Sequence, residues 1–124
     1  MALLGERSLK NIKDIDPRLT LIIGYVLSEG KVDFTVTEGL RSAERQKKLF
    51  DEGKSQRDGY IKKSYHQSGR AFDFIPYPFH SWNDIEAFKK VGEELKKAAS
   101  KFGFECQYGG DWKSFKDYPH FQIK

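Results

Sequence analysis

Four polar residues, divided between two distant segments, constrain this chain more than any other feature. His66 and Asp73 lie in one segment, and Asp117 and His120 lie in another near the end of the sequence. Two imidazoles and one carboxylate are enough protein ligands for a catalytic zinc ion, which keeps its fourth coordination position open for water. The second carboxylate, Asp117, can then act as a base for the attacking water. The four residues therefore predict a metallohydrolase whose fold brings the two segments together.

The surroundings of Asp73 in the sequence support this prediction. It lies in the apolar segment 71–75, between Phe72 and Phe74, which we predict to be a buried strand. Because side chains alternate along a strand, Asp73 points away from both rings. A carboxylate in such a strand is costly to bury alone, so it is usually paired or bound to a metal. The alternative to zinc ligation is a salt bridge to Arg70 or to a lysine.

Each histidine taken alone has an ordinary interpretation as a structural or solvated residue. The joint arrangement favours ligation, because His66 is followed by Asp73 after six residues and every member of the set lies on a strand or at its end. For Asp117 the alternative is an ion pair with a neighbouring lysine. His80, the third histidine besides His66 and His120, lies in an aromatic and proline-rich loop. We expect its side chain to be structural or exposed.

Hydrophobic periodicity and turn residues predict a single compact α+β domain spanning residues 1–124. The predicted helices cover 16–30, 42–52 and 83–102, and the predicted strands cover 33–37, 71–75 and 120–123, with one more strand that begins at 104–106. Asn83 and Glu86 form the capping-box pattern at the start of the last helix. The connections are too irregular for parallel βαβ units, so we predict a small, mainly antiparallel sheet with packed helices and the zinc site at strand ends. The polar segment 53–65 is expected to form a loop at the wall of the site.

Composition and charge exclude several other classes of protein. The net charge is +4 at pH 7, with basic residues scattered along the chain, so binding to nucleic acid has little support and an acidic wall polymer is a better partner. No apolar run is long enough to span a membrane. The single cysteine, Cys106, cannot form an intrachain disulfide. The first residues do not have the pattern of a signal peptide, so we expect synthesis in the cytoplasm.

The motifs around these residues resemble one known family. The chain is similar to the zinc D-Ala-D-Ala carboxypeptidases and L-alanyl-D-glutamate endopeptidases that cut bacterial peptidoglycan, particularly the small phage endolysins of that group. Together the matching blocks span residues 38 to 121. They are Glu38–Gln46, which contains Gly39, Arg41 and Ser42; Ser64, His66 and Asp73 with Gly69 and Ala71; Gly109–Trp112; and Asp117 with His120.

The resemblance implies a zinc ion held by His66, Asp73 and His120, with Asp117 as general base and general acid. Many members of the family carry glutamate where Asp117 stands, and aspartate also occurs among the phage members. The shorter side chain reaches less far, so we expect a slightly different geometry for proton transfer.

The resemblance also implies that Arg41 lies near the scissile carbonyl, where a guanidinium stabilises the charge that develops on the oxygen. The alternative for Arg41 is a salt bridge with Glu38 or Glu44. Ser64 and Trp112 are implied as substrate-binding residues. The alternative role of the Ser64 hydroxyl is to fix its loop, and that of the Trp112 ring is to pack beneath the site.

We therefore predict an endolysin, a zinc-dependent peptidoglycan hydrolase that cleaves the L-Ala–D-Glu bond of stem peptides. The enzymatic alternative is a D-Ala-D-Ala carboxypeptidase or dipeptidase with the same zinc site, and the non-enzymatic alternative is a zinc-stabilised binding module. We expect a monomer without membrane insertion and without a separate wall-binding domain. We also expect it to act on the cell wall after release through a separate holin-like protein.

Overall fold

The computed structural model describes residues 4–124, within which four α-helices accompany one four-stranded sheet. The helices are α1 (Glu6–Ile12), α2 (Pro17–Glu29), α3 (Ala43–Asp51) and α4 (Ile85–Phe102), and the strands are β1 (Phe34–Glu38), β2 (Ala71–Pro76), β3 (Cys106–Tyr108) and β4 (His120–Ile123). Two short 3-10 helices cover Tyr65–Ser68 and Gly109–Asp111. The strands run antiparallel in the order β1-β2-β4-β3, which confirms the predicted α+β architecture.

The pairing of β2 with β4 places the two predicted segments side by side. Asp73 on β2 lies directly opposite His120 on β4. Phe72 and Phe74, the neighbours of Asp73, are fully buried in the core. Because side chains alternate across a strand, Asp73 faces the opposite side of the sheet. The register of the sheet therefore brings a carboxylate and an imidazole together away from the apolar core.

The core lies between the sheet and two helices. Helices α2 and α4 contact each other, and α4 also contacts β2 and β3. The largest fully buried apolar side chains include Leu19, Ile22, Leu95, Phe74 and Phe121. Helix α1, which the hydrophobic pattern did not predict, contacts β1 at the edge of the sheet. Within residues 4–124, none of the helices combines the length and the apolar character needed to cross a lipid bilayer.

Two predicted boundaries are wrong. The capping box at the start of α4 is not formed, because Asn83 lies in a turn before the helix, where its carbonyl accepts a hydrogen bond from the Ile85 N–H at 2.8 Å. Asp84 is the residue at the N-cap position instead. Strand β3 begins two residues later than predicted. The reason is that the Phe104 N–H is used to end α4, where it donates to the Ala99 carbonyl at 2.8 Å.

Gly92 on α4 provides the room that a core tyrosine needs. A Cβ atom at this position would lie 2.5 Å from Cζ of Tyr108, whose ring is buried. We expect Gly92→Ala to lower the free energy of unfolding by about 1–3 kcal/mol, because overpacking forces the ring or the backbone to shift.

Gly24 on α2 offers a matched control for this prediction. Among the described residues, nothing lies within 4 Å of the position that its Cβ would take. We expect Gly24→Ala to raise the free energy of unfolding by about 0.5–1 kcal/mol, through helix propensity alone. Urea denaturation of both variants measures the two effects, and a similar change in both would contradict the packing argument.

Candidate metal centre

His66 is presented by a short, tightly capped turn. The Ser64 hydroxyl accepts a hydrogen bond from the His66 N–H at 3.2 Å, and the Gln67 side chain accepts one from the Ser64 N–H at 2.8 Å. Gly69 then adopts a left-handed conformation, with φ of 72°, and leads the chain into β2. The reciprocal capping and the glycine turn therefore fix His66 just before Asp73 enters the sheet.

Three potential ligand atoms converge where the middle of β2 pairs with the start of β4, and they form what we call the ligand triangle: His66 Nε2, Asp73 Oδ1 and His120 Nδ1. His66 Nε2 lies 3.1 Å from Asp73 Oδ1 and 3.2 Å from His120 Nδ1, and the third side of the triangle is 3.3 Å. A tetrahedral zinc site with bonds of about 2.0–2.1 Å separates neighbouring ligand atoms by about 3.3–3.4 Å. The ligand triangle is thus close to the size that a zinc ion requires.

Hydrogen bonds on the outer side of each imidazole select its tautomer. His66 Nδ1 donates to the Gly39 carbonyl at 2.9 Å, and His120 Nε2 donates to Gln122 Oε1 at 2.7 Å. The remaining nitrogens, His66 Nε2 and His120 Nδ1, therefore direct lone pairs toward the Asp73 carboxylate. Three acceptors that face one another need a cation between them, and outward donation of this kind is typical of metal-binding histidines. The donor set fits a metal ion.

In the metal-free chain, a proton shared among these acceptors supplies part of the positive charge that a metal ion would bring. Burial opposes ionisation of Asp73, but attraction to His66 and hydrogen bonding with the protonated histidine pair outweigh it and lower the pKa of Asp73 below its ordinary value of 3.8. Burial likewise favours neutral His120, but its hydrogen bond to Asp73 and its attraction to Asp73 and Asp117 raise the pKa of His120 above 6.5. The ligand triangle thus attracts positive charge.

Asp117 lies beside the ligand triangle without being part of it. Its Oδ2 is 4.0 Å from His120 Nδ1, and its side chain is 46% exposed. Its N–H donates to the Gly109 carbonyl at 3.0 Å, in an approach so close that a Cβ on Gly109 would overlap with the Asp117 carbonyl. Partial burial beside the ligand triangle and repulsion by Asp73 raise the pKa of Asp117 above 3.8. Asp117 is therefore a stronger base than an ordinary aspartate.

Arg41 is buried, with a side chain only 8% exposed, and faces the other oxygen of Asp73. Its Nη2 lies 3.5 Å from Asp73 Oδ2, its Nε lies 2.5 Å from Glu38 Oε1, and its Nη1 donates to Gln46 Oε1 at 2.8 Å. The salt bridge with Glu38 that was the alternative interpretation is therefore present. This salt bridge does not draw Arg41 away from the ligand triangle, because the guanidinium contacts Glu38 and Asp73 at the same time.

The ligand triangle opens into a cleft with a volume of about 780 Å³. Segment 53–57 and most of segment 112–117 line it. The first of these segments belongs to the loop 53–65 that was predicted to form a wall of the site. Ser64 also lines the cleft while capping its turn, so both of its predicted roles are compatible with its position. The Trp112 ring lies 5.3 Å from the His120 ring, measured between centroids. His80 is exposed and lies outside both the cleft lining and the ligand triangle.

Among the residues that support the site, Gln122 was not identified from the sequence, and Gly39 and Gln46 were identified only as part of the family-like block Glu38–Gln46. Gln122 orients His120, the Gly39 carbonyl orients His66, and the buried side chain of Gln46 anchors Arg41. One signal was available for Gln122: it follows His120 by two residues on a strand, so the two side chains share a face. Backbone carbonyls carry no comparable sequence signal.

A histidine–aspartate–histidine triangle with a second carboxylate beside it, at the side of an open cleft, is the arrangement of a metal-dependent hydrolase. Comparison with known proteins narrows that class. The sequence model of the family described as phage L-alanyl-D-glutamate peptidase matches residues 1–123, and the chain belongs to that family. The predicted resemblance to L-alanyl-D-glutamate endopeptidases is thereby confirmed.

Individual relatives agree with this assignment. An L-alanyl-D-glutamate peptidase of Escherichia phage T5 is 32% identical over 97% of this chain and 88% of its own length. The peptidoglycan L-alanyl-D-glutamate endopeptidase CwlK of Bacillus subtilis is 33% identical over 74% of this chain and 61% of its own length.

Solved structures share the fold. The Serratia marcescens L-Ala D-Glu endopeptidase ChiX superposes with a TM-score of 0.84 at 34% identity, over 96% of this chain and 87% of its own. The vancomycin-resistance D,D-pentapeptidase VanY, solved in complex with Zn(II), has a TM-score of 0.63 at 18% identity, over 88% of this chain and 72% of its own. At 18% identity, the similarity to VanY shows a shared fold and nothing more.

Proposed function

We propose that this protein hydrolyses the L-Ala–D-Glu bond of peptidoglycan stem peptides, with zinc held by His66 Nε2, Asp73 Oδ1 and His120 Nδ1. The observation that carries the proposal is the ligand triangle, with sides of 3.1–3.3 Å and outward hydrogen bonds that leave three acceptors facing one point. Membership of a family of L-alanyl-D-glutamate peptidases supports the choice of bond.

A bound zinc ion supplies Lewis-acid chemistry, since it polarises a carbonyl and lowers the pKa of water toward neutrality. The residues of the chain divide the remaining work. Asp117 accepts the proton of the attacking water and passes it to the departing amine, a role that its raised pKa and its 4.0 Å distance from His120 support. Arg41, held by Glu38 and Gln46, directs a fixed positive charge at the carbonyl oxygen as negative charge develops there. Ser64 and Trp112 contact the substrate along the cleft.

Digestion of purified peptidoglycan tests the proposed bond. We expect stem-peptide fragments with a new D-glutamate amino terminus, identified by mass spectrometry, because cleavage of the L-Ala–D-Glu amide releases that amine. Release of free D-alanine or D-Ala-D-Ala without such fragments would instead support the carboxypeptidase alternative. Peptidoglycan binding without any product from the zinc-loaded protein would support the zinc-stabilised binding module.

We also propose that the protein acts on the cell wall as a monomer, after a separate holin-like protein gives it access. Relatives from Escherichia phage T5 and Listeria phage A118 support a role in phage lysis. Expression in a host with and without a membrane-permeabilising protein tests the dependence. Lysis that is equally fast in both cases would contradict it.

Zinc affinity is expected to rise with pH across the titration of His120. The pKa of this imidazole lies above 6.5 in the metal-free chain, so at lower pH zinc must displace a proton from Nδ1. We expect the affinity to rise by up to about tenfold per pH unit below this pKa and to level off above it. The protonated imidazole contributes to stability of the metal-free chain below its unfolded pKa, and this contribution is lost as the pH rises through the folded pKa. Competition with a chromophoric chelator between pH 5.5 and 8.5 measures the affinity, and a flat profile would contradict the ligand assignment.

A further inference from the structure

We propose that Arg57 determines substrate specificity by binding the free carboxylate of the D-glutamate residue next to the scissile bond. This inference rests on the proposed function. D-Glutamate has two carboxyl groups, and continuation of the stem peptide uses only one of them. An L-Ala–D-Glu substrate therefore carries a negative charge within a few bonds of the scissile nitrogen, unless that carboxyl is amidated.

The cleft is lined by cations that the catalytic mechanism does not use. Segment 53–57 contributes Lys54 and Arg57, and the facing segment 112–117 contributes Lys116. The acidic residues of the lining are Glu38, Asp73 and Asp117, which belong to the Arg41 anchor, the ligand triangle and the proposed base. Outside the catalytic group the lining is thus cationic, which favours an anionic substrate.

Among these three cations of the described cleft lining, Arg57 is the one whose side-chain nitrogens have no polar partner. Lys54 Nζ lies 3.4 Å from Glu52 Oε1, and Lys116 Nζ donates to the Gly110 carbonyl at 3.3 Å. The Arg57 guanidinium makes no hydrogen bond or ion pair with any other residue of the described range 4–124. The neighbouring carboxylate, Asp58, does not pair with Arg57. Its Oδ1 instead accepts hydrogen bonds from the backbone N–H groups of residues 60 to 62, each at 2.9 Å.

The backbone of Arg57 is nevertheless held firmly in place. Its carbonyl accepts a hydrogen bond from Gln46 Nε2 at 2.7 Å, and its N–H donates to Ser55 Oγ at 3.2 Å. Gln46 Nε2 also donates to Ser55 Oγ at 2.7 Å, while its Oε1 accepts from Arg41. One fully buried amide therefore ties the wall that carries Arg57 to the guanidinium of Arg41, which we propose as the group that stabilises the carbonyl oxygen. A free cation on an anchored backbone is suited to bidentate recognition of a carboxylate.

Two matched peptides test the inference: one contains L-Ala–D-Glu continued through the γ-carboxyl, and the other carries the α-carboxyl as a carboxamide. We expect the wild-type protein to cleave the carboxylate peptide with a kcat/KM about 10- to 100-fold higher, the range for one charge-assisted hydrogen bond. Arg57→Ala should remove this preference through KM, with less than about a threefold change for the carboxamide peptide. Arg57→Lys keeps the positive charge but cannot donate two parallel hydrogen bonds to a carboxylate, so it should retain only part of the preference.

Lys63→Ala is the matched control, since it removes the same unit of charge from an exposed position near the same loop, outside the cleft lining. It should leave the preference unchanged. If Arg57→Ala reduces cleavage of both peptides in equal proportion, or of neither, or if the wild-type protein cleaves both peptides equally well, the specificity role is wrong while the proposed function stands. Wild-type cleavage at any bond other than L-Ala–D-Glu would contradict the proposed function and this inference together.

Discussion

Replacing Asp117 with asparagine is expected to lower kcat/KM by about 100- to 10,000-fold, the range attributed to a positioned general base. The substitution keeps the size of the side chain but removes its ability to accept a proton. Because Asp117 lies outside the ligand triangle, we expect the zinc content and the melting temperature to stay close to those of the wild-type protein. Release of stem-peptide fragments from peptidoglycan, measured together with metal content, separates the loss of the base from the loss of the metal.

Asp111→Asn is the matched control for this substitution. Asp111 is an aspartate of the short 3-10 helix that precedes Trp112, and its Oδ2 pairs with Lys96 Nζ at 2.6 Å, away from the cleft lining. Exposed ion pairs of this kind contribute little to stability, so activity and fold should both persist. If Asp117→Asn retains wild-type activity, Asp117 is not the base. If it loses zinc as well as activity, Asp117 belongs to the metal ligands instead.

Removing the metal is expected to have the largest effect on stability. A metal present at about 1,000 times its dissociation constant stabilises the folded state by about 4 kcal/mol, which corresponds to roughly 10–20 °C in Tm for a domain of this size. Chelation should lower Tm by that amount and abolish peptidoglycan cleavage, and added zinc should restore both. His66→Ala should prevent the restoration, because one side-chain ligand and its outward hydrogen bond to Gly39 are lost.

His80→Ala provides the control for His66→Ala, since His80 is exposed and lies outside the ligand triangle. This variant should bind one zinc ion per chain and keep wild-type activity. Metal analysis of the purified variants and thermal unfolding with and without chelator give the comparison. Stoichiometric zinc in His66→Ala, or a Tm that does not respond to chelation, would contradict the assigned ligands.

Much of the fold could be predicted because local signals agree with it. Asp16 and Pro17 begin α2 as predicted, with Asp16 Oδ1 accepting a hydrogen bond from the Arg18 N–H at 2.9 Å. The alternation around Asp73 correctly separated the face of β2 that carries Asp73 from the face that carries Phe72 and Phe74. These features depend on residues close in sequence, where capping and periodicity act.

Other features could not be predicted because they depend on contacts between distant segments. The short helix α1 has little amphipathic pattern of its own and is placed by β1, where the Val36 N–H donates to Ser8 Oγ at 2.9 Å. The four candidate site residues were identified from the sequence, and the structure places them around one point. Their individual roles stay predictions. The anchoring of Arg41 by Gln46 requires α3 and the following loop to be docked, and spacing alone does not contain that information.

The register that sets Asp73 against His120 also has a consequence for how activity first appears during folding. Both the last proposed ligand, His120, and the proposed base, Asp117, take their places with the pairing of β4, because they lie at the start of that strand and in the turn before it. A slip of one residue would turn the imidazole into the core and a phenylalanine out of it. A chain in which β4 is unpaired or paired one residue out of register therefore lacks the proposed metal site and the proposed base together.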